Sequence, residues 1–102
     1  MLKRAGARRE DNEGIVNYLQ EMAGVRLAVL AEQRGAATTK FSLRSKAPVN
    51  VARDVAAPLG GGGHELASGI TLQLPLEEAL EKVLAQARAA LDHTEERAKH
   101  HL

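Results

Sequence analysis

Cysteine is absent from this chain, and with it any disulfide framework or thiolate metal site. Aromatic residues are scarce: Tyr18 and Phe41 are the only two. That argues against a broad base-stacking platform of the kind single-strand binders use, so recognition of nucleic acid would run through phosphates and polar edges. Charge of one sign is not in excess either. Lys and Arg number 14 against 13 Asp and Glu, a formal net charge of +1, so any basic patch has to be local. No apolar run approaches the roughly 18 residues that cross a bilayer. The opening MLKRAGARRE is basic but lacks the apolar stretch of a signal peptide. The simplest compartment is the cytoplasm.

Glycine, in contrast, is concentrated in one place. The ten residues Gly60 to Gly69 read GGGGHELASG. Fixing four glycines in regular structure costs about 2–4 kcal/mol relative to alanine, a large part of the roughly 5–15 kcal/mol that holds a domain together. Close backbone approach or φ > 0 geometry would justify it. A ligand is one such reason, because N–H groups without neighbouring Cβ atoms can turn inward on an anion, with His64 at the mouth as a further donor. Spacing alone does not separate this from a flexible linker. The flanks favour a ligand loop, since Leu59 precedes the run and Leu66, Ala67, Ile70 and Leu72 follow it. A nucleotide-binding P-loop is excluded: no Gly-Lys-Ser/Thr follows, and His64 stands where the lysine belongs.

In chain order, residues 1–10 carry Lys3, Arg4, Arg8 and Arg9 with little apolar pattern and read as a solvated arm or linker remnant. Asp11 or Asn12 caps a first helix with Ile15, Leu19 and Met22 on one face, ended by Gly24. Val25 to Gln33 alternates as a strand, and Thr38 to Lys46 alternates again, so the two predict an antiparallel hairpin. Phe41 and Leu43 point one way; Lys40, Ser42, Arg44 and Lys46 point the other. Arg44 and Lys46 thus give two cations about 7 Å apart, suited to a phosphodiester, or else an ordinary solvated strand face. Asn50 caps a short helix from Val51 to Ala57 that delivers the chain into the glycines. Ile70 to Leu74 reads as a strand. Pro75 opens a final helix with Glu77 and Glu78 in its first turn and a stripe of Leu76, Leu80, Val83, Leu84, Ala87 and Leu91. Residues 92–102 lose the stripe and read as a solvated helix end or tail. The fold class is α/β: a small mixed sheet of at least three strands with helices packed on it.

Catalytic machinery is thin. Asp54, His64 and Glu65 could in principle converge on a metal, but nothing in their spacing demands it. Ser68 with His64 mimics half of a nucleophile pair, without a third orienting group. His93, His100 and His101 stand at no trusted ligand spacing. The residues read as a binding module.

Three ordered segments, EGIVNY at Glu13 to Tyr18, FSLRSK at Phe41 to Lys46 and GGGGHELASG at Gly60 to Gly69, resemble the DHH-associated domain, first subtype, of DHH-family phosphoesterases. Within that family the resemblance is greatest to the branch that acts as oligoribonuclease and 3′-phosphoadenosine 5′-phosphate phosphatase. It covers roughly residues 11–91. The resemblance implies that Gly61, Gly62, Gly63 and His64 line a phosphate and nucleotide site. It implies further that Arg44, Ser45 and Lys46 contact the nucleic acid, and that Glu13 and Asn17 lie near the cleft. Ala67 and Gly69 match the family's small residues, while Ser68 stands where alanine is more usual. The partner implied is a catalytic domain that carries an Asp-His-His motif and binds manganese.

This chain holds no Asp-His-His sequence, no catalytic residue and no metal site of its own on this reading, so it is expected to be inactive alone. It reads as a carboxy-terminal fragment or, less favoured, a stand-alone substrate-binding domain. The ligand would be a short single-stranded nucleic acid or nucleotide phosphate, and a homodimer is compatible with it. The alternatives are the associated domain of a single-strand DNA exonuclease or cyclic-dinucleotide phosphodiesterase, and a non-catalytic interaction module in which the glycines only pack against a partner.

Overall fold

The computed structural model describes residues 2–5 and 12–100. Its centre is the hairpin that the alternation predicts. Strand β2 (Leu27–Gln33) pairs antiparallel with β3 (Thr39–Ser45), Leu27 opposite Ser45 and Gln33 opposite Thr39. On the far side of β3 runs β5 (Ala67–Leu72), and outside it the short strand β4 (Gly62–His64), both antiparallel to their neighbours. The other edge is closed by β1 (Leu2–Ala5), parallel to β2, giving a five-stranded mixed sheet in the order β1-β2-β3-β5-β4. Helices pack on both faces, so the chain is α/β as expected.

Three segments differ from the sequence reading, one of them only in its bounds: the strand read as Ile70 to Leu74 runs from Ala67 to Leu72, because its first residues pair with β4. Leu2–Ala5 falls in the stretch read as a solvated arm, yet its backbone pairs with β2. Without it the N–H and C=O groups on that edge of β2 would lack partners, and pairing supplies them whatever the composition of the incoming segment. The glycine run is not a loop throughout: Gly62–His64 form a strand. Glycine has no strand preference of its own, and the ladder to β5 imposes the extended form.

Alternation in β2 divides the core. Leu27 and Val29 turn to one face with Phe41, Leu43 and Ile70, where they meet helix α2 (Leu76–His100) and a tight segment made of one π-helical turn (Ala52–Ala56) and one 3-10 turn (Ala57–Leu59). Ala28 and Leu30 turn to the other face and meet helix α1 (Asn12–Glu21) through Val16, with Ile15 and Leu19 beside it. Phe41, at the centre of the larger cluster, has no exposed surface. Asn50 caps the segment after it, its Oδ1 accepting the Arg53 amide at 2.9 Å.

The last helix presents Ala79, Val83, Ala87 and Ala90 as its buried line, with Leu80 and Leu91 packed at the margins. Small residues at the centre of the stripe let the helix approach the sheet closely; the leucines fill the flanks. The helix runs on to His100, through the stretch read as a solvated end or tail, and Thr94 is buried within it, donating to the Ala90 carbonyl at 2.9 Å. Among the described residues no helix is long and apolar enough to cross a membrane.

Candidate nucleotide-phosphate groove

The face of the sheet that carries α1 is only partly covered by it. Beyond the helix, β3, β5 and β4 lie open and form a shallow cavity of about 350 Å³, lined by Lys40, Ser42, Arg44, Gly62, Gly63, His64, Ala67 and Gly69 among others. Register explains the grouping. Paired residues on neighbouring strands point to the same face. Arg44 is opposite Ala67, and Ala67 is opposite His64; Ser42 is opposite Gly69, and Gly69 is opposite Gly62. Strand β5, between β3 and β4, therefore contributes a floor of Ala67 and Gly69, low enough for a ligand to settle between a wall that carries Arg44 and a wall that carries His64. Two strand spacings separate those walls, about 9–10 Å between backbones.

Arg44 is held in position. Its Nε donates to Asn17 Oδ1 on α1 at 3.1 Å, and its Nη1 donates to the Leu43 carbonyl at 2.9 Å. A guanidinium fixed through Nε in this way is pre-oriented, so less freedom is lost when it meets an anion. Asn17, expected near the cleft, is thus a direct neighbour of the groove. Glu13 lies in α1, but its side chain is outside the described residues.

The glycines divide into those the fold requires and one it does not. Gly60 takes φ 84° to end the 3-10 turn, its amide donating to Ala57. Gly61 is pressed against β5: a Cβ there would stand 2.3 Å from the Gly69 carbonyl oxygen. Gly63 combines φ 142° with a Cβ position 2.7 Å from the Ala67 carbonyl oxygen. Gly62 has neither constraint. Its Cβ would meet nothing within 4 Å, and it lines the cavity.

Other residues singled out from the sequence lie elsewhere. Ser45 is buried on the opposite face, its hydroxyl donating to the Val49 carbonyl at 2.7 Å. Lys46 follows the strand, half-buried, its amide donating to the Arg26 carbonyl at 3.0 Å, and is not in the groove lining. Ser68 is buried and donates to the His64 carbonyl at 2.8 Å, so the hydroxyl holds the β4–β5 turn and not the imidazole. Asp54 accepts two hydrogen bonds from Arg53, at 2.8 and 3.0 Å, and the neighbouring carboxylate holds the Arg53 guanidinium more firmly protonated than usual. A smaller cavity of about 180 Å³ lies beside Arg53, between Pro48, Asn50 and Glu65. Among the described residues no three of His, Cys, Asp and Glu converge where a metal could sit.

Lys40, Ser42, Ala67 and Gly69 line the groove, although the sequence reading does not place them among the site residues. The signal for the first two was present in the alternation of β3, which already put them on the face of Arg44. For the floor it was the absence of side chains, which marks a surface only when the neighbouring strands are known.

The family model described as DHHA1 domain matches residues 1–93. Over 88 residues the chain is 39% identical to a protein of Thermus thermophilus named bifunctional oligoribonuclease and PAP phosphatase, a match that takes in 85% of this chain and 26% of that protein. The chain thus spans about a quarter of the length of that relative. With the sheet, both helices and the glycine-histidine strand inside the matched region for all but the end of α2, the chain belongs to the DHHA1 domain family.

Proposed function

We propose that this chain is the substrate-gripping domain of a DHH-type phosphoesterase acting on short oligoribonucleotides, on 3′-phosphoadenosine 5′-phosphate, or on both. In this reading the groove takes a phosphate between Arg44 and His64, with Gly62 and Gly63 allowing the ligand to lie against the backbone. The observation that carries it is the placement of Arg44 and His64 on either side of the low floor at Ala67. A pre-oriented guanidinium supplies paired donors to phosphate oxygens, and the imidazole adds a donor from the other side. The relative's printed name supplies the substrate class; the groove supplies a matching chemistry.

Bond cleavage belongs, in this proposal, to a companion domain with the Asp-His-His motif and manganese. The described residues do not offer a donor set that fits the metal. The chain's own part is to bind and orient: Arg44 and His64 fix the phosphate, and the floor sets how deeply the ligand sits.

An NMR titration of the labelled chain with a diribonucleotide and with 3′-phosphoadenosine 5′-phosphate tests this. Charge-assisted hydrogen bonds contribute about 1.5–3 kcal/mol each, so two or three predict binding in about the millimolar range or tighter. Shifts should cluster at Arg44, Gly62, Gly63 and His64 and weaken in His64→Ala. Untouched resonances there, with both ligands at high concentration, would count against the reading.

A further inference from the structure

The groove is longer than one phosphate needs, and its far end carries a second cation. Lys40 lines the same cavity as Arg44 and His64. It stands on the same face of β3 as Arg44, two alternations away, with Ser42 between them; four residues of strand separate the two backbones by about 13 Å. The order along the groove is cation, hydroxyl, cation.

The Lys40 charge is available. Glu32 is its cross-strand neighbour on β2 and the obvious acidic partner, but that carboxylate is bound to Arg34 Nε at 3.1 Å. On the other side the neighbour is Thr71, exposed and uncharged. Among the described residues no hydrogen bond or ion pair holds the Lys40 ammonium. β3 is the middle strand of the sheet, so a lysine there does not serve to protect an open edge from other chains.

From this arrangement we infer that Lys40 is a length-reading residue, contacting a second phosphate of a single-stranded oligonucleotide whose first phosphate is held at Arg44 and His64. A stacked strand advances about 3.4 Å per nucleotide along its axis, so a backbone separation of about 13 Å is spanned by at most about four nucleotides, and by fewer when the strand is extended. A nucleoside bisphosphate or a dinucleotide seated at Arg44 falls short of Lys40. A longer oligonucleotide reaches it. The inference rests on the groove reading above and adds to it the discrimination between ligands of different length.

The test compares 3′-phosphoadenosine 5′-phosphate, a diadenylate and a pentaadenylate on the wild-type chain, Lys40→Gln, Lys40→Arg and Arg44→Ala, each across a series of salt concentrations. Lys40→Gln should weaken the pentaadenylate about threefold to fivefold, the size of one exposed ion pair. It should also reduce the magnitude of the salt slope by about 0.7, one phosphate contact on a single strand. The two short ligands should be unchanged, and Lys40→Arg should retain the wild-type preference for length. Lys40→Gln that weakens all three ligands alike, or none, while Arg44→Ala abolishes binding, would overturn the role of Lys40 and leave the groove reading standing. Failure of the wild type to bind any of the three would remove the groove reading, and this inference with it.

Discussion

Arg44 on β3 and His64 on β4 flank Ala67 on the strand between them, each directly opposite it in the hydrogen-bonded register, so the two side chains rise from one face of the sheet with a methyl group as the floor. The spacing is useful only while the floor stays low. In Ala67→Val the branched side chain fills part of that gap without disturbing the ladder, since valine is at ease in a strand. Affinity for a diribonucleotide should fall by about tenfold, worth about 1.4 kcal/mol, with the thermal midpoint within a few degrees of wild type. Unchanged affinity in a titration would mean that the ligand does not pass between Arg44 and His64.

Adjacent glycines should respond in opposite ways. Gly61→Ala forces a Cβ to within 2.3 Å of the Gly69 carbonyl oxygen, which is backbone of a paired strand and cannot swing aside. Destabilisation of about 1–3 kcal/mol is expected, as for overpacking elsewhere. Gly62→Ala meets no atom within 4 Å and needs no unusual backbone angle. It should leave stability unchanged or raise it by about 0.4–1 kcal/mol through the unfolded chain, while weakening ligand binding. Thermal unfolding and titration of the two variants separate the glycine that serves the fold from the glycine that serves the groove.

What could be read from the sequence and what could not follow from where the physical cause resides. The alternation around Phe41 and Leu43 is local, so strand, hairpin and the outward face of Arg44 were all legible. The cap at Asn50 was legible for the same reason. The strand at Gly62–His64 was not: its cause is the ladder to β5, a partner that no glycine propensity announces. Leu2–Ala5 joins the sheet for a similar long-range reason. The stripe of α2 was displaced toward its leucines because large side chains dominate a periodicity, whereas the line against the sheet consists of Ala79, Val83, Ala87 and Ala90. The groove was half legible. Its charged walls are side chains and its floor is their absence.

Asn17 should act through Arg44. Its Oδ1 accepts from Arg44 Nε at 3.1 Å, across 27 positions of sequence and from a different element. Asn17 is exposed, so Asn17→Ala removes little packing and should shift stability by no more than about 0.5 kcal/mol. The guanidinium keeps its bond to the Leu43 carbonyl but loses one fixed acceptor. Part of its freedom has to be frozen at binding instead, within the cost of about 0.5–1.5 kcal/mol for ordering a long side chain. Affinity should fall about twofold to tenfold for every ligand that uses Arg44, and the loss should be absent in an Arg44→Ala background. Equal losses in both backgrounds would show that Asn17 contacts the ligand itself.

Ser45 tests whether a motif residue serves the ligand or the fold. It sits between Arg44 and Lys46 in the segment that resembles a nucleic-acid contact, yet its side chain has no exposure and its hydroxyl donates to the Val49 carbonyl at 2.7 Å. The same turn is tied to the β4–β5 connection, where the Ser45 amide donates to the Leu66 carbonyl at 3.0 Å and the Val51 amide to the Glu65 carbonyl at 2.8 Å. Ser45 thus joins the end of β3 to the segment that enters the glycines. In Ser45→Ala the buried Val49 carbonyl loses its donor, and an unsatisfied buried acceptor costs about 1–3 kcal/mol. Chemical denaturation should show that loss with an unchanged m-value. At temperatures where the variant is fully folded, its affinity for a diribonucleotide should match wild type within about twofold. A large loss of affinity in a variant of wild-type stability would instead put the hydroxyl in contact with the ligand and require the 46–50 turn to open when the ligand binds.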